Sequence, residues 1–169
     1  MSGVTLRITV TQAELRQALG AIADFARDPT PAWKVIGQDL VTSTQERMRA
    51  ETGPDGTRWP DLKPDYAATK RGAGMLVESG RLIGSLTRQT SGSQLLVGTN
   101  ALYGAIHQFG GVIRPKSGAA LRFRIGRRWV FARKVTMPAR PFLGISAQDR
   151  DDMLDTMEHF MRRAMRGGQ

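Results

Sequence analysis

Tyr103-Gly104-Ala105-Ile106-His107-Gln108-Phe109-Gly110-Gly111 and Met137-Pro138-Ala139-Arg140-Pro141-Phe142-Leu143-Gly144 are the stretches on which the fold turns. In the first, Tyr103, Ile106 and Phe109 recur at helical spacing and predict an apolar stripe. The spacing predicts a short helix from Ala101 to Phe109, capped by Asn100. Gly110-Gly111 ends it, because glycine takes the left-handed conformation without a steric penalty. In the second stretch, Pro138 and Pro141 fix φ and remove two backbone donors, which predicts a stiff, irregular crossing. Phe109 and Phe142 are expected to pin the two segments together, since burying a phenylalanine is worth roughly 1.5–3 kcal/mol. The same geometry would also serve a contact between subunits. Arg140, held between the prolines, is expected to play a structural part by pairing with a carboxylate or a backbone carbonyl. An interface role is its alternative.

Working outward, the elements on either side read as hairpins and helices. Ser79 to Leu86 predicts a helical turn entering a strand. Leu86 to Thr90 and Gln94 to Thr99, joined by Ser91-Gly92-Ser93, predict a β-hairpin. Leu121, Phe123 and Ile125 alternate with Arg122 and Arg124, and Gly126-Arg127 turns the chain back into Trp129-Val130-Phe131. This second hairpin should pack one face inward and turn a strongly basic face outward. A last helix is expected from Ser146, with Asp149 at its third position and Met153, Met157, Phe160, Met161 and Ala164 as its apolar stripe. Its acids come early and its arginines late, which complements the helix dipole. Toward the N-terminus, Leu6 to Val10 alternates as a strand does, and Thr11-Gln12-Ala13-Glu14 matches a capping box. The helix that follows carries Leu15, Ala18, Leu19, Ile22 and Phe25 at its spacing and stops at Asp28-Pro29. A second helix, opened by Thr30-Pro31 and ending near Glu51, should line Trp33, Ile36, Leu40 and Met48 on one face.

Residues 52–74 hold turn residues and few large apolar ones, so they read as one long, mobile loop with at most a short helix over Asp65 to Arg71. Trp59 has two readings there: an anchor that orders the loop on a neighbouring subunit, or a cap on the domain's own core.

The chain has 169 residues, enough for one domain with a real core. It has no cysteine and two histidines, His107 and His159, which speaks against disulfides, thiolate metal sites and an all-histidine metal site. No basic start followed by an apolar run suggests a secretory signal, and no stretch approaches the ~20 apolar residues of a membrane span. The chain therefore reads as soluble and cytosolic, with no membrane partner. The formal net charge is +10, and no acidic residue lies between Glu78 and Asp149. That stretch holds eleven cations, Arg122, Arg124, Arg127 and Arg128 among them. Such asymmetry points to a polyanion or an acidic protein surface as partner, or to a solvated face balanced by acids elsewhere in the fold. Arginines interleaved with Trp129 and Phe131 also fit a non-specific nucleic-acid-binding module using the basic 114–134 region, the alternative function. His107 has no cysteine or nearby acid to make it a catalyst, and the chain holds no Gly-x-Ser-x-Gly elbow and no zinc-protease motif. It reads as a hydrogen-bonding post between helix and sheet, and His159 as a partly packed helix residue.

Taken in order, several segments resemble the phage virion morphogenesis family, the Mu-like tail-completion proteins. Arg58-Trp59-Pro60-Asp61-Leu62 looks like the family's tryptophan-proline-leucine stretch, and Lys70, Leu76, Ser79-Gly80 and Leu82 like the run after it. Val97-Gly98-Thr99, Tyr103, His107, Gln108, Phe109, Gly110 and Gly111 match the central motif. Pro138, Ala139, Arg140, Pro141, Phe142, Leu143 and Gly144 match the proline-rich signature. Arg114 to Lys134 lies outside the pattern, so the basic hairpin inherits no role. The resemblance implies one α+β domain over residues 1–169, with an antiparallel sheet, N-terminal helices and a long C-terminal helix. It implies no cofactor, no metal, no reaction and no catalytic residue. It further implies a structural protein of a phage or prophage, for tail completion or head–tail joining. Such a protein would assemble as a ring-like homo-oligomer and meet tail tube or neck proteins, in the host cytoplasm during assembly and in the virion's tail or neck afterwards. Trp59, Arg122, Arg124, Arg127, Arg128 and Trp129 are the residues read as candidate interface.

Overall fold

In the computed structural model the helix α2, Thr30–Ala50, is the spine. The structure describes residues 12–72 and 74–167. The expected strand over Leu6 to Val10 and the cap at Thr11 lie outside the described residues. Along α2, Ala32, Ile36, Leu40, Val41, Thr44 and Met48 are buried, the helical spacing that gives one continuous inner face. Gly37 sits on that face because a Cβ there would come within 2.7 Å of Leu95 Cδ1. Its absence lets the hairpin β1 (Leu86–Ser91) and β2 (Gln94–Thr99) lie close against the helix. That hairpin turns on Gly92-Ser93, since Ser91 already pairs with Gln94.

The helix α1, Gln12–Arg27, packs on the C-terminal helix α6, Ala147–Gly167, and α6 also packs on α2. On α1, Leu15 and Leu19 remain exposed, so its apolar stripe is only partly covered. The start of α6 follows its sequence: Ser146 Oγ accepts from Asp149 N at 3.1 Å, and Asp149 Oδ2 accepts from Ser146 N at 2.8 Å. This reciprocal cap satisfies donors that a helix start otherwise leaves open. Asp149 is also buried against α2, where Arg47 pairs with it at 2.7 Å and Ser43 donates to it. The cap therefore locks α6 to α2. Burial alone would raise the Asp149 carboxyl, but the bonds from Ser43 and Ser146 and the Arg47 charge outweigh it and hold it below the usual range.

The strands form three separate two-stranded antiparallel ladders, β1–β2, β3–β6 and β4–β5, in place of one sheet. Here β3 is Gly111–Ile113, β4 Leu121–Ile125, β5 Arg128–Ala132 and β6 Val135–Met137. Small ladders of this kind draw their stability from the helices and crossings packed around them. The architecture is α+β, with helices predominating.

The segment expected to be one long mobile loop is instead folded back on the domain over its first half. Glu51 caps α2 in the left-handed conformation at φ 60°. Its carbonyl accepts Trp59 N at 2.9 Å, and its carboxylate accepts Met75 N at 2.8 Å. Thr52 bridges to Arg58, and Asp55 holds the turn between them by accepting the Thr57 amide and hydroxyl. A short helix α3 spans Pro64–Ala67, starting one residue before the expected Asp65 and ending short of Arg71, and a further short helix α4, Arg81–Gly84, leads into β1. Lys70 then donates to Val77 O at 2.7 Å and pairs with Glu78 at 3.0 Å, closing the segment. Trp59 is 3% exposed and belongs to the core cluster with Val41, Met48, Leu76, Leu82, Leu86 and Phe142.

Candidate assembly surface

The helix α5 spans Gly104–Phe109, shorter than expected because the residues from Asn100 to Tyr103 form a turn in which Thr99 Oγ1, not Asn100, accepts the Ala101 amide. From its end, β3 runs antiparallel to β6, with Gly111 opposite Met137. The two signature stretches thus lie side by side, and Gln108 joins them. Its Oε1 accepts the amides of Phe142 and Leu143, each at 3.0 Å, while its Nε2 donates to Leu143 O at 2.9 Å. One side chain satisfies three backbone groups of a crossing that has no ladder of its own. Arg140 N donates to His107 O at 2.7 Å, a second rung between the stretches. Gly110 takes φ 67°, and a Cβ there would meet Ala139 N at 2.7 Å, so the contact requires glycine for space as well as conformation.

On its inner side this joint is core. Phe142 is fully buried, and Trp59 Nε1 donates to Pro141 O at 2.9 Å. Arg140 is 3% exposed, and its guanidinium grips Pro60 O at 3.1 and 2.7 Å and Asp61 O at 3.1 Å. Of its expected partners it takes carbonyls, and with them it fastens the 52–62 segment to the crossing. Burial pulls the Arg140 group below its ordinary range, against the acids Glu51 and Asp61. His107 is half-buried, edge-on to Tyr103 at 6.0 Å between ring centres. Its Nδ1 is buried without a partner, so its side chain is not the expected hydrogen-bonding post. Gln108 has that role, and only the His107 carbonyl takes part. Burial first, and the Arg140 charge second, hold His107 below its usual pKa.

The outer side departs from expectation. Phe109 is 78% exposed and Tyr103 42%, so of the two phenylalanines only Phe142 pins the crossing. Leu102, Val112 and Ile113 are exposed beside them. Of the predicted stripe, Tyr103 and Phe109 point outward and Ile106 is half-buried, because the crossing beneath already fills the core with Phe142. Pro138, Ala139, Pro141 and Gly144 lie at the surface and Leu143 is half-buried.

The β4–β5 hairpin pairs Arg122 with Phe131 and Arg124 with Trp129, which sets all four on one face. The guanidinium of Arg122 lies 4.0 Å from the Trp129 ring centre and that of Arg124 5.4 Å. Trp129 is 49% exposed and Phe131 67%. Arg127 forms the exposed turn, and Arg128 approaches Asp65 at 3.8 Å. Of the residues read as candidate interface, these five stay outward and Trp59 does not. No group of three or more metal-ligating side chains occurs among the described residues, and none of their helices is long and apolar enough to cross a membrane.

A profile of the phage virion morphogenesis family matches residues 10–162. The chain belongs to the phage virion morphogenesis family. Its joined stretches are thus the inner frame of a virion-building protein, and the family is one of structural proteins, not an enzyme class. Mu-like prophage FluMu G protein 2 of Haemophilus influenzae is 29% identical over 149 residues, 88% of this chain and 90% of that protein. The "Putative capsid assembly protein G" of Escherichia phage Mu is 23% identical over 167 residues, 95% of this chain and 97% of its own. FluMu G protein 1 of the same Haemophilus strain is 31% identical over 118 residues, 66% of this chain and 64% of that protein. No solved structure matches this member of the family.

In the sequence Gln108 is one motif residue among several, with no bonding role of its own. Its signal was a lone amide in an apolar helix just ahead of a proline-rich crossing, whose open backbone groups need such a partner. The Ser43–Arg47–Asp149 lock had no signal, because residues a hundred positions apart meet only in the fold.

Proposed function

We propose that this virion morphogenesis protein completes the tail or joins it to the head, acting as a ring of identical subunits that meets tail tube or neck proteins. The observation that carries the reading is the outward side of the signature joint. Phe109, Tyr103, Leu102 and Val112 stand exposed on and beside the backbone that Gln108 fastens to the proline-rich crossing. Several exposed apolar side chains around one joint, on a protein of a virion morphogenesis family, fit a surface that assembly covers. Rigid backing suits it, because a pre-formed surface loses little conformational freedom on docking.

Sedimentation of the purified protein, alone and with phage tails, tests the reading. Phe109→Ser should leave circular dichroism and thermal unfolding nearly unchanged, as the side chain is outside the core, while lowering self-association and recovery with tails. A wild type that stays monomeric and never sediments with tails overturns it.

A further inference from the structure

We propose that neighbouring subunits meet head to tail, the cationic face of the β4–β5 hairpin of one copy seated on the acidic face of α6 of the next. The inference rests on the assembly reading above and names the surfaces involved. On the hairpin, Arg122 and Arg124 flank the exposed Trp129 and Phe131, and neither arginine has an ion-pair partner among the described residues. On α6, the packed stripe runs through Asp149, Met153, Met157, Phe160 and Ala164. The opposite face carries Asp151, Leu154, Asp155 and Glu158, all exposed, with Leu154 at 63%. Asp151 and Asp155 likewise have no ion-pair partner among the described residues.

The two faces match in sign, apolar content and spacing. Each sets exposed apolar side chains among charges, cationic on the hairpin and acidic on α6 apart from Arg162, which pairs with Glu158 and leaves Asp151 and Asp155 for a neighbour. Residues two apart on a strand are about 7 Å apart, and residues four apart on a helix are about 6 Å apart. The spacing therefore lets Arg122 and Arg124 face Asp151 and Asp155 in register. The acids missing between Glu78 and Asp149 are supplied by the next copy. A nucleic acid fits the hairpin less well. The Trp129 ring already carries Arg122 on one face, which leaves less of it open to a base. A contact between unlike surfaces of identical chains leaves one of each open at the ends, and it closes into a ring when the rotation between copies completes a circle.

Charge reversal tests this in the full chain. Self-association followed by sedimentation should weaken with added salt. Arg122→Glu with Arg124→Glu should weaken it at least tenfold, and so should Asp151→Lys with Asp155→Lys. Mixing the two variants, or combining all four changes in one chain, should restore it. Both sites are exposed, so unchanged thermal unfolding is expected and serves as the control for folding. If wild type self-associates and the reversals leave it unaltered, the head-to-tail contact is overturned while the tail-assembly reading stands. If the reversals abolish retention of duplex DNA at physiological salt and leave self-association intact, the hairpin is a nucleic-acid surface and the contact is likewise overturned.

Discussion

The signature joint and the β4–β5 hairpin are built from similar residue types, aromatics, arginines and glycines, and put them to opposite use. In the joint, Arg140 and Phe142 are buried and every strong polar contact runs to backbone: Gln108 to Phe142 and Leu143, Arg140 to Pro60 and Asp61. In the hairpin, Arg122 and Trp129 meet each other at the surface and bond no main chain outside their ladder. An arginine's role is therefore set by whether unpaired carbonyls surround it. Prolines create such carbonyls by interrupting ladders, and a regular hairpin leaves none over.

That contrast is sharpest in its response to truncation. Phe142→Ala should lower unfolding stability by about 3–5 kcal/mol, measured as a shift of the urea midpoint, because the side chain is wholly buried and its neighbours are fixed by bonds to backbone. Gln108→Met, which preserves volume, should cost about 2 kcal/mol by the same measure, as it strands two amides and a carbonyl. A cost near zero for Gln108→Met would erase the distinction between the two regions. A pH-dependent effect comes from His107, whose depressed pKa means that the unfolded chain binds its proton more readily. The contribution is fully present above the ordinary value of 6.5 and is lost as the pH falls through the lower folded value. His107→Gln should flatten that limb of a stability–pH curve. Smallest of all, Arg122→Ala with Arg124→Ala should change stability by no more than about 0.5 kcal/mol, while self-association falls.

The elements that follow from periodicity and turn chemistry were legible in the chain: α2 with its stop near Glu51, both hairpins, and α6 with its Ser146–Asp149 cap. Membership of the family was legible too, because uncommon residues coincide in order along the two signature stretches. What could not be read was direction. The stripe of Tyr103, Ile106 and Phe109 has helical spacing, and spacing fixes which residues share a face without saying whether that face meets core or solvent. Here the crossing behind α5 fills the interior with Phe142, so Phe109 is turned out. Residues 52–62 misled for a related reason. Their few apolar residues suggest a free loop, yet Trp59, bonded through Nε1 to Pro141 O, and Arg140, bonded to the Pro60 and Asp61 carbonyls, seat them.

The Gln108 clamp touches only main-chain atoms, and that has a consequence for change over time. A carboxamide that recognises amides and carbonyls is indifferent to the letters written at the positions it holds. Side chains on the outward rim can be rewritten for a new docking surface while the fastening beneath them keeps its shape. A scaffold of this kind separates the problem of standing upright from the problem of choosing a neighbour.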